Sequence, residues 1–317
     1  MVIDPSDLYE VVGDVDESTL ASLKGGVLVQ AMTGFVDAGN ATRLAREQLL
    51  DTHDTTPIIS FDIDALLDYR SRRPTMIFVE DHWESYEEPR LALHLARDRQ
   101  STAFLVLAGP EPDLLWERFT AAVINLFRRF ELRLSVGLDA IPMAVPHTRP
   151  TGLTAHATRR DLVTSYEPWL QRVQVPASAG HLLEYRLGQQ GLDAMGFAAH
   201  VPHYLAQTDY PTAAETLLAA VSRATGLLLG TDELRESATA VREEVDRQIG
   251  ENGEAADLVR SLEQQYDAFM RGRASEQSGQ NLLSRSGPLP TAEELGAELE
   301  RFLANQSNPP GEPPAST

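Results

Sequence analysis

Apolar residues follow two rhythms along this chain. VLVQAM (27–32) reads as a buried strand, and PIISFD (57–62), TMIFVE (75–80) and MGFAAHVP (195–202) are further apolar runs of strand length. RLALHLA (90–96) alternates, with Leu91, Leu93 and Leu95 on one side. Alternation predicts a half-exposed, antiparallel strand. Asp98-Arg99-Gln100 then forms the turn of a hairpin into AFLVLAG (103–109). Elsewhere the period is helical. Ala41, Leu44, Ala45 and Leu49 share one face, as do Leu115, Phe119, Ala122, Val123, Leu126 and Phe130 in a segment whose Pro112 suits a first turn. A helix is predicted from Ala179 until Gly191 stops it, and another over 211–230, with Pro211 near its start and Gly230 past its end. The stretch 134–150 is apolar but broken by prolines, which places loops or strand ends there.

Strands alternating with helices predict an α/β fold over residues 1–230: a three-layer α/β/α sandwich around a mixed sheet. Residues 231–271 change character. Leu234, Ala238, Val241, Val245 and Ile249 form one stripe, Leu258, Leu262, Tyr266 and Phe269 another, and Gly250 to Gly253 separate them. This predicts an antiparallel helical hairpin. Its eleven acidic and five basic residues give it a solvated acidic face. Its two apolar stripes need a cover, either the main domain or a second subunit. Residues 272–290 read as a linker, 291–305 as a helix capped by Thr291 with Glu294 in a capping box, and 306–317 as a disordered tail.

Charge narrows the function classes. Lys plus Arg is 27 and Asp plus Glu is 47 among 317 residues, a net charge of −20. So acidic a surface disfavours nucleic acid and anionic membranes as partners. Cysteine is absent, which removes disulfides, thiol nucleophiles and thiolate metal sites. No apolar stretch reaches the length of a membrane span, and the acidic start MVIDPSDLYE lacks a signal-peptide pattern, so a soluble cytoplasmic protein is expected.

Chemistry has few places to sit. Gly34, Asp37, Gly39 and Asn40 lie between a buried strand and a helix start, where N–H groups attract anions. An Asp37 carboxylate would occupy that position itself, so helix capping is the simpler reading of Asp37 or Asn40. Gly109 and Glu111 occupy a second strand-to-helix junction, and strand C-termini are where α/β folds place ligands. Glu111 also simply suits a helix dipole. His147 and Arg149, in PMAVPHTRP, form a polar patch that is either an anion pocket or an exposed turn. His181 and Glu184 are spaced i, i+3 on a helix, but one such pair is too few for a structural metal site, and neither metal nor cofactor is predicted. Arg70, Arg72 and Arg73, ahead of Pro74, read most simply as a surface loop, with an edge, a subunit contact or an anion site as the alternatives. No G-x-S-x-G, H-E-x-x-H or Walker A pattern occurs, and Lys24 is the only lysine.

Several segments in order, VLVQAMTGFVDAGNA, FDIDALLDYRSRRP, FLVLAGPEPDLLWERF, GLDAIPMAVPHTRP and VPHYLAQTDYPTAAETLL, resemble the proteasome assembly chaperone 2 family, in its bacterial branch, over roughly residues 20–235. The helical hairpin and tail look like that branch's C-terminal extension. The resemblance implies a fold similar to purine nucleoside phosphorylases and related hydrolases, a homo-oligomer, and chaperones that help assemble proteasome α-subunit rings. Archaeal relatives dock on the proteasome with a C-terminus ending in a hydrophobic residue, tyrosine and one more. This chain ends Pro314-Ala315-Ser316-Thr317 and is expected to lack that device. Some relatives carry a label as ATP-grasp ligases, which fits poorly with a single lysine.

The leading expectation is a non-enzymatic, self-associating assembly factor, a trimer before a dimer, with proteasome subunits as the partners the resemblance implies. Its self-association surface would be the helical arm, the sheet edge near RLALHLA, or both. The alternative is an enzyme or small-molecule binder whose phosphorylase-like cleft is lined by Gly34, Asp37, Gly39, Asn40, Gly109, Glu111, His147 and Arg149.

Overall fold

The computed structural model describes residues 4–13, 15–34, 36–169 and 172–277. Its elements in chain order are β1 (Tyr9–Val11), α1 (Glu17–Leu23), β2 (Val27–Thr33), α2 (Ala41–Thr52), β3 (Asp54–Phe61), α3 (Ile63–Leu66), β4 (Met76–Val79), β5 (His82–Tyr86), β6 (Ala92–Arg97), β7 (Ala103–Pro110), α4 (Trp116–Arg129), β8 (Leu134–Met143), β9 (Leu153–Ala157), α5 (Ala179–Gln189), β10 (Ala194–Pro202), α6 (Pro211–Thr225), α7 (Asp232–Gly250) and α8 (Gly253–Gln277). The chain divides into two compact units, residues 1–264 and 265–317; of the second, the described part is the last turns of α8.

Eight strands form one mixed sheet in the order β1-β3-β6-β7-β2-β8-β10-β9. The four central strands β7, β2, β8 and β10 are parallel, and the flanking pairs are antiparallel. Alternation sends β7 side chains to two cores. Phe104, Val106 and Ala108 join Ala41, Ala45 and Leu49 of α2 and Leu217 and Val221 of α6. Leu105 and Leu107 join Phe119, Val123 and Phe127 of α4 and Leu183 and Leu187 of α5. Burying each such Phe or Leu contributes about 1.5–3 kcal/mol, so near-continuous apolar strands and one-striped helices reach their minimum only as three layers. No described helix is long and apolar enough to cross a membrane.

Four expectations need correction. RLALHLA is not at an edge: β6 lies between β3 and β7, with Leu93 buried in one core and Ala96 in the other. The edge strands are β1 and β9. TMIFVE is a strand, but it leaves the main sheet and pairs with β5 in a separate two-stranded hairpin. Helix α4 begins at Trp116, not near Pro112, because the Asp113 and Leu114 N–H groups donate to Leu66 O. Helix α8 runs to Gln277, into the segment whose composition predicted a linker from 272. The predicted helix over 291–305 and the tail lie outside the described residues.

Candidate functional site

The parallel strands bring their C-terminal ends to one side of the sheet, and all eight candidate residues lie at those ends or in the segments that follow them. They fall into three groups. At the start of α2, Asp37 accepts from the Thr42 and Arg43 N–H groups at 2.7 and 3.0 Å. Burial raises its pKa, against those hydrogen bonds and the Arg43 charge. Asn40 donates from its side chain to Asp209 at 2.7 Å. Gly39, at φ 65°, packs so closely that a Cβ would fall 2.7 Å from Tyr210 Cβ. This group anchors the helix.

The second group joins two loops. A Cβ on Gly34 would sit 2.2 Å from Glu111 Oε2, and Gly109, at φ 140°, leaves no room beside Arg90 O. Glu111 is 5% exposed. Its Oε1 accepts from Ala179 N at the start of α5, and its own N–H donates to Thr33 O. The loops after β2 and β7 therefore meet, and Glu111 places its own charge on the N-terminus of α5.

The third group lies under the arm. His147 is buried; its N–H donates to Tyr204 Oη at 2.9 Å, and its Nδ1 and Nε2 lie 2.7 and 3.0 Å from Tyr204 Oη and Asp246 Oδ1. Arg149 and Thr148 both donate to Glu263 Oε1. Burial pushes the Tyr204 pKa up to about 12. A cavity of about 290 Å³ opens here, with His147, Arg149, Tyr210, Thr212 and Arg242 in its lining.

A further polar constellation was not assembled from the sequence. Under α4 the sheet is apolar, but under α5 its face carries Gln30, Ser135, Gly137, Asp139, Gly196 and His156. These residues follow the two-residue period: Ser135, Gly137 and Asp139 alternate along β8, and Gln30, Gly137, Gly196 and His156 pair in register across β2, β8, β10 and β9. Gln30 Nε2 donates to Ser135 Oγ at 2.8 Å. Above them, Ser178 caps α5 by accepting from His181 N. His181 Nε2 donates to Asp139 Oδ2 at 3.2 Å, and His156 Nδ1 donates to Glu184 Oε1 at 3.0 Å. The hydrogen bond to Asp139 raises the His181 pKa, burial opposes it, and the charges of Asp139, Glu184 and Glu111 add to the rise. The i, i+3 spacing of His181 and Glu184 was the visible half of this arrangement. Asp139 and His156 come from β8 and β9, and only the sheet topology delivers them.

The chemistry on offer is acid–base or ligand chemistry, from paired imidazoles and carboxylates on the sheet face beside a helix start. Lys24, the lone lysine, is committed to an exposed ion pair with Glu131 at 2.7 Å.

A model of the PAC2 family matches residues 31–249. The chain is similar to a Mycobacterium tuberculosis protein of unknown function, at 44% identity over 95% of this chain and 97% of that one, with a TM-score of 0.80. It is also similar to a Mycobacterium tuberculosis proteasome-assembly chaperone homologue, at 26% identity over 74% and 99% of the two chains, with a TM-score of 0.68. The fold alone is shared with an archaeal proteasome activator from Pyrococcus furiosus, at 14% identity over 76% and 98%, with a TM-score of 0.57. No curated protein gives a significant match.

Proposed function

The chain belongs to the PAC2 family, and on that premise we propose that it is a non-enzymatic cytoplasmic assembly factor that associates with itself and acts on protein partners. Proteasome subunits are the partner class to test first, because a homologue at 26% identity is named for proteasome assembly. A trimer is the expected form.

One observation carries the reading. Hairpin β4–β5 projects an apolar surface: Phe78 is 55% exposed and Trp83 62%, and Met76, Ile77 and Tyr86 are also exposed. The Phe78 and Trp83 rings sit edge to face, 5.1 Å apart. Aromatic side chains clustered in the open mark protein contact surfaces. Charge argues for a second copy as occupant. The tip carries Glu80 and Asp81, β5 carries Glu84, and the segment leading into the hairpin carries Arg70, Arg72 and Arg73. Two hairpins meeting would bring opposite signs together and cover the aromatic surface. Arg72 is paired with Asp113 at 2.8 Å, which fixes the basic segment on the main domain.

The test is light scattering on the wild type and on a Phe78→Glu, Trp83→Glu double variant, with the tagged wild type used to recover proteasome subunits from its own cell extract. Assembly of the wild type, loss of assembly in the variant and stoichiometric proteasome subunits support the reading. A monomeric wild type that recovers no proteasome subunit overturns it.

The polar sheet face under α5 favours a second reading, a small-molecule site. It would use Asp139, His156 and His181 alongside Gly34 and Glu111, with the His147–Arg149 cavity as a separate pocket.

A further inference from the structure

We propose that Asp139, His156 and His181, with Glu184 behind His156, form a binding site for a divalent transition-metal ion, zinc being the reference case. The inference is independent of the assembly role. Asp139 lies on β8, His156 on β9 and His181 on α5, so the donors converge from three elements rather than from one acidic loop. One donor atom from each lies within 4.8 Å of the others.

The spacing suits a metal. Tetrahedral zinc with bonds of 2.0–2.2 Å separates neighbouring donors by about 3.4 Å. His181 Nε2 and Asp139 Oδ2 stand 3.2 Å apart already. The two imidazoles lie 5.8 Å apart between ring centroids, their planes 75° from parallel. A donor atom of His156 lies within 4.8 Å of the donor atoms of both Asp139 and His181.

The donor set is also chemically selective. Two imidazoles and a carboxylate favour zinc and its first-row neighbours over magnesium or calcium, which prefer oxygen. Glu184 contacts His156 Nδ1 as an outer carboxylate does in metal sites, fixing the ring's orientation and leaving Nε2 for the metal. Gly196 supplies the berth: a Cβ there would fall 2.3 Å from His156 Cε1, so the imidazole occupies the space where a side chain would otherwise stand. Three protein ligands leave one position open for water or a substrate oxygen, the pattern of a catalytic rather than a structural site. Beneath α5, Gln30 is 4% exposed and its Oε1 has no hydrogen-bond partner, a buried acceptor on the same sheet face.

Without metal, the same four residues would persist as two histidine–carboxylate contacts, so the experiment separates the two states. Untagged full-length protein is stripped with EDTA and titrated with Co²⁺, read by visible absorption, then with Zn²⁺ by calorimetry. The expected result is one equivalent per chain, with the Co²⁺ band of a four-coordinate N/O site and its displacement by Zn²⁺. His156→Gln and Asp139→Asn are close in size to the native residues, and each is expected to weaken binding at least 100-fold. Glu184→Gln is expected to weaken it about 10–100-fold. His82→Ala removes an exposed histidine paired with Asp81 and should leave binding unchanged. Substoichiometric binding, or binding that survives in folded His156→Gln and Asp139→Asn variants, overturns the proposal.

Discussion

Gly34 lacks a side chain where the Glu111 carboxylate lies: a Cβ on the glycine would stand 2.2 Å from Glu111 Oε2. The contact locks the loop after β2 against the loop after β7, and the same carboxylate accepts from Ala179 N to seat α5. Gly34→Ala must push Glu111 off that N–H group. The expected cost is about 1–3 kcal/mol, that of a buried polar group losing its partner. In a Glu111→Ala background the same change should be nearly neutral. Urea midpoints over the double-mutant cycle give the coupling directly; additive effects would mean that the contact does not hold the loops.

Asp98 ties the β6–β7 turn to the segment after α6. Burial works to raise its pKa, but N–H groups of Leu228, Thr102 and Gln100 outweigh it and hold the carboxylate below its ordinary value of 3.8. A folded value below the unfolded one stabilises the protein fully above that ordinary value, and the stabilisation fades as pH falls through the folded value. Asp98→Asn should therefore cost about 1–3 kcal/mol at pH 7. The gap to wild type should narrow steadily from about pH 4 downward. Denaturant titrations at several pH values measure it; a gap independent of pH would refute the assignment.

Tyr204 holds His147 twice, through the backbone N–H and through Nδ1. Tyr204→Phe leaves both groups buried without a partner and should destabilise the protein by about 1–3 kcal/mol. His147 also contacts Asp246 of α7, so hydrogen exchange in residues 232–250 should accelerate in the same variant. Unchanged exchange there would show that the His147 loop does not anchor α7.

Much of the fold was legible. The continuous apolar run of 103–109 and the helical stripe ending at Phe130 have no other way to bury their surface, and Asp98-Arg99-Gln100 announces its hairpin. The position of β6 was not legible, because alternation does not say whether a strand pairs on one edge or on two, as β6 does with β3 and β7. The exposure of TMIFVE was hidden for the same reason: apolar content gives no sign that a strand leaves the sheet. Among the candidate residues, Asp37 caps the helix that follows it, as its position suggested, whereas Glu111 serves not the helix that follows it but the start of α5, 68 residues away. Asp139, His156 and His181 stayed scattered, since two strands separated by β10 in the sheet and a helix start carry no shared spacing along the chain.

The apolar hairpin offers the most direct test of the account, by sedimentation and light scattering of the wild type beside the Phe78→Glu, Trp83→Glu variant. Both side chains are exposed and pair with each other across the hairpin, so the cost of the variant falls on β4–β5 and the main sheet should stay folded by circular dichroism. The account predicts a wild-type mass that is an integer multiple of 34.9 kDa, three being the expected number, and a folded monomer for the variant. A wild type that stays at 34.9 kDa across the accessible concentration range would contradict it.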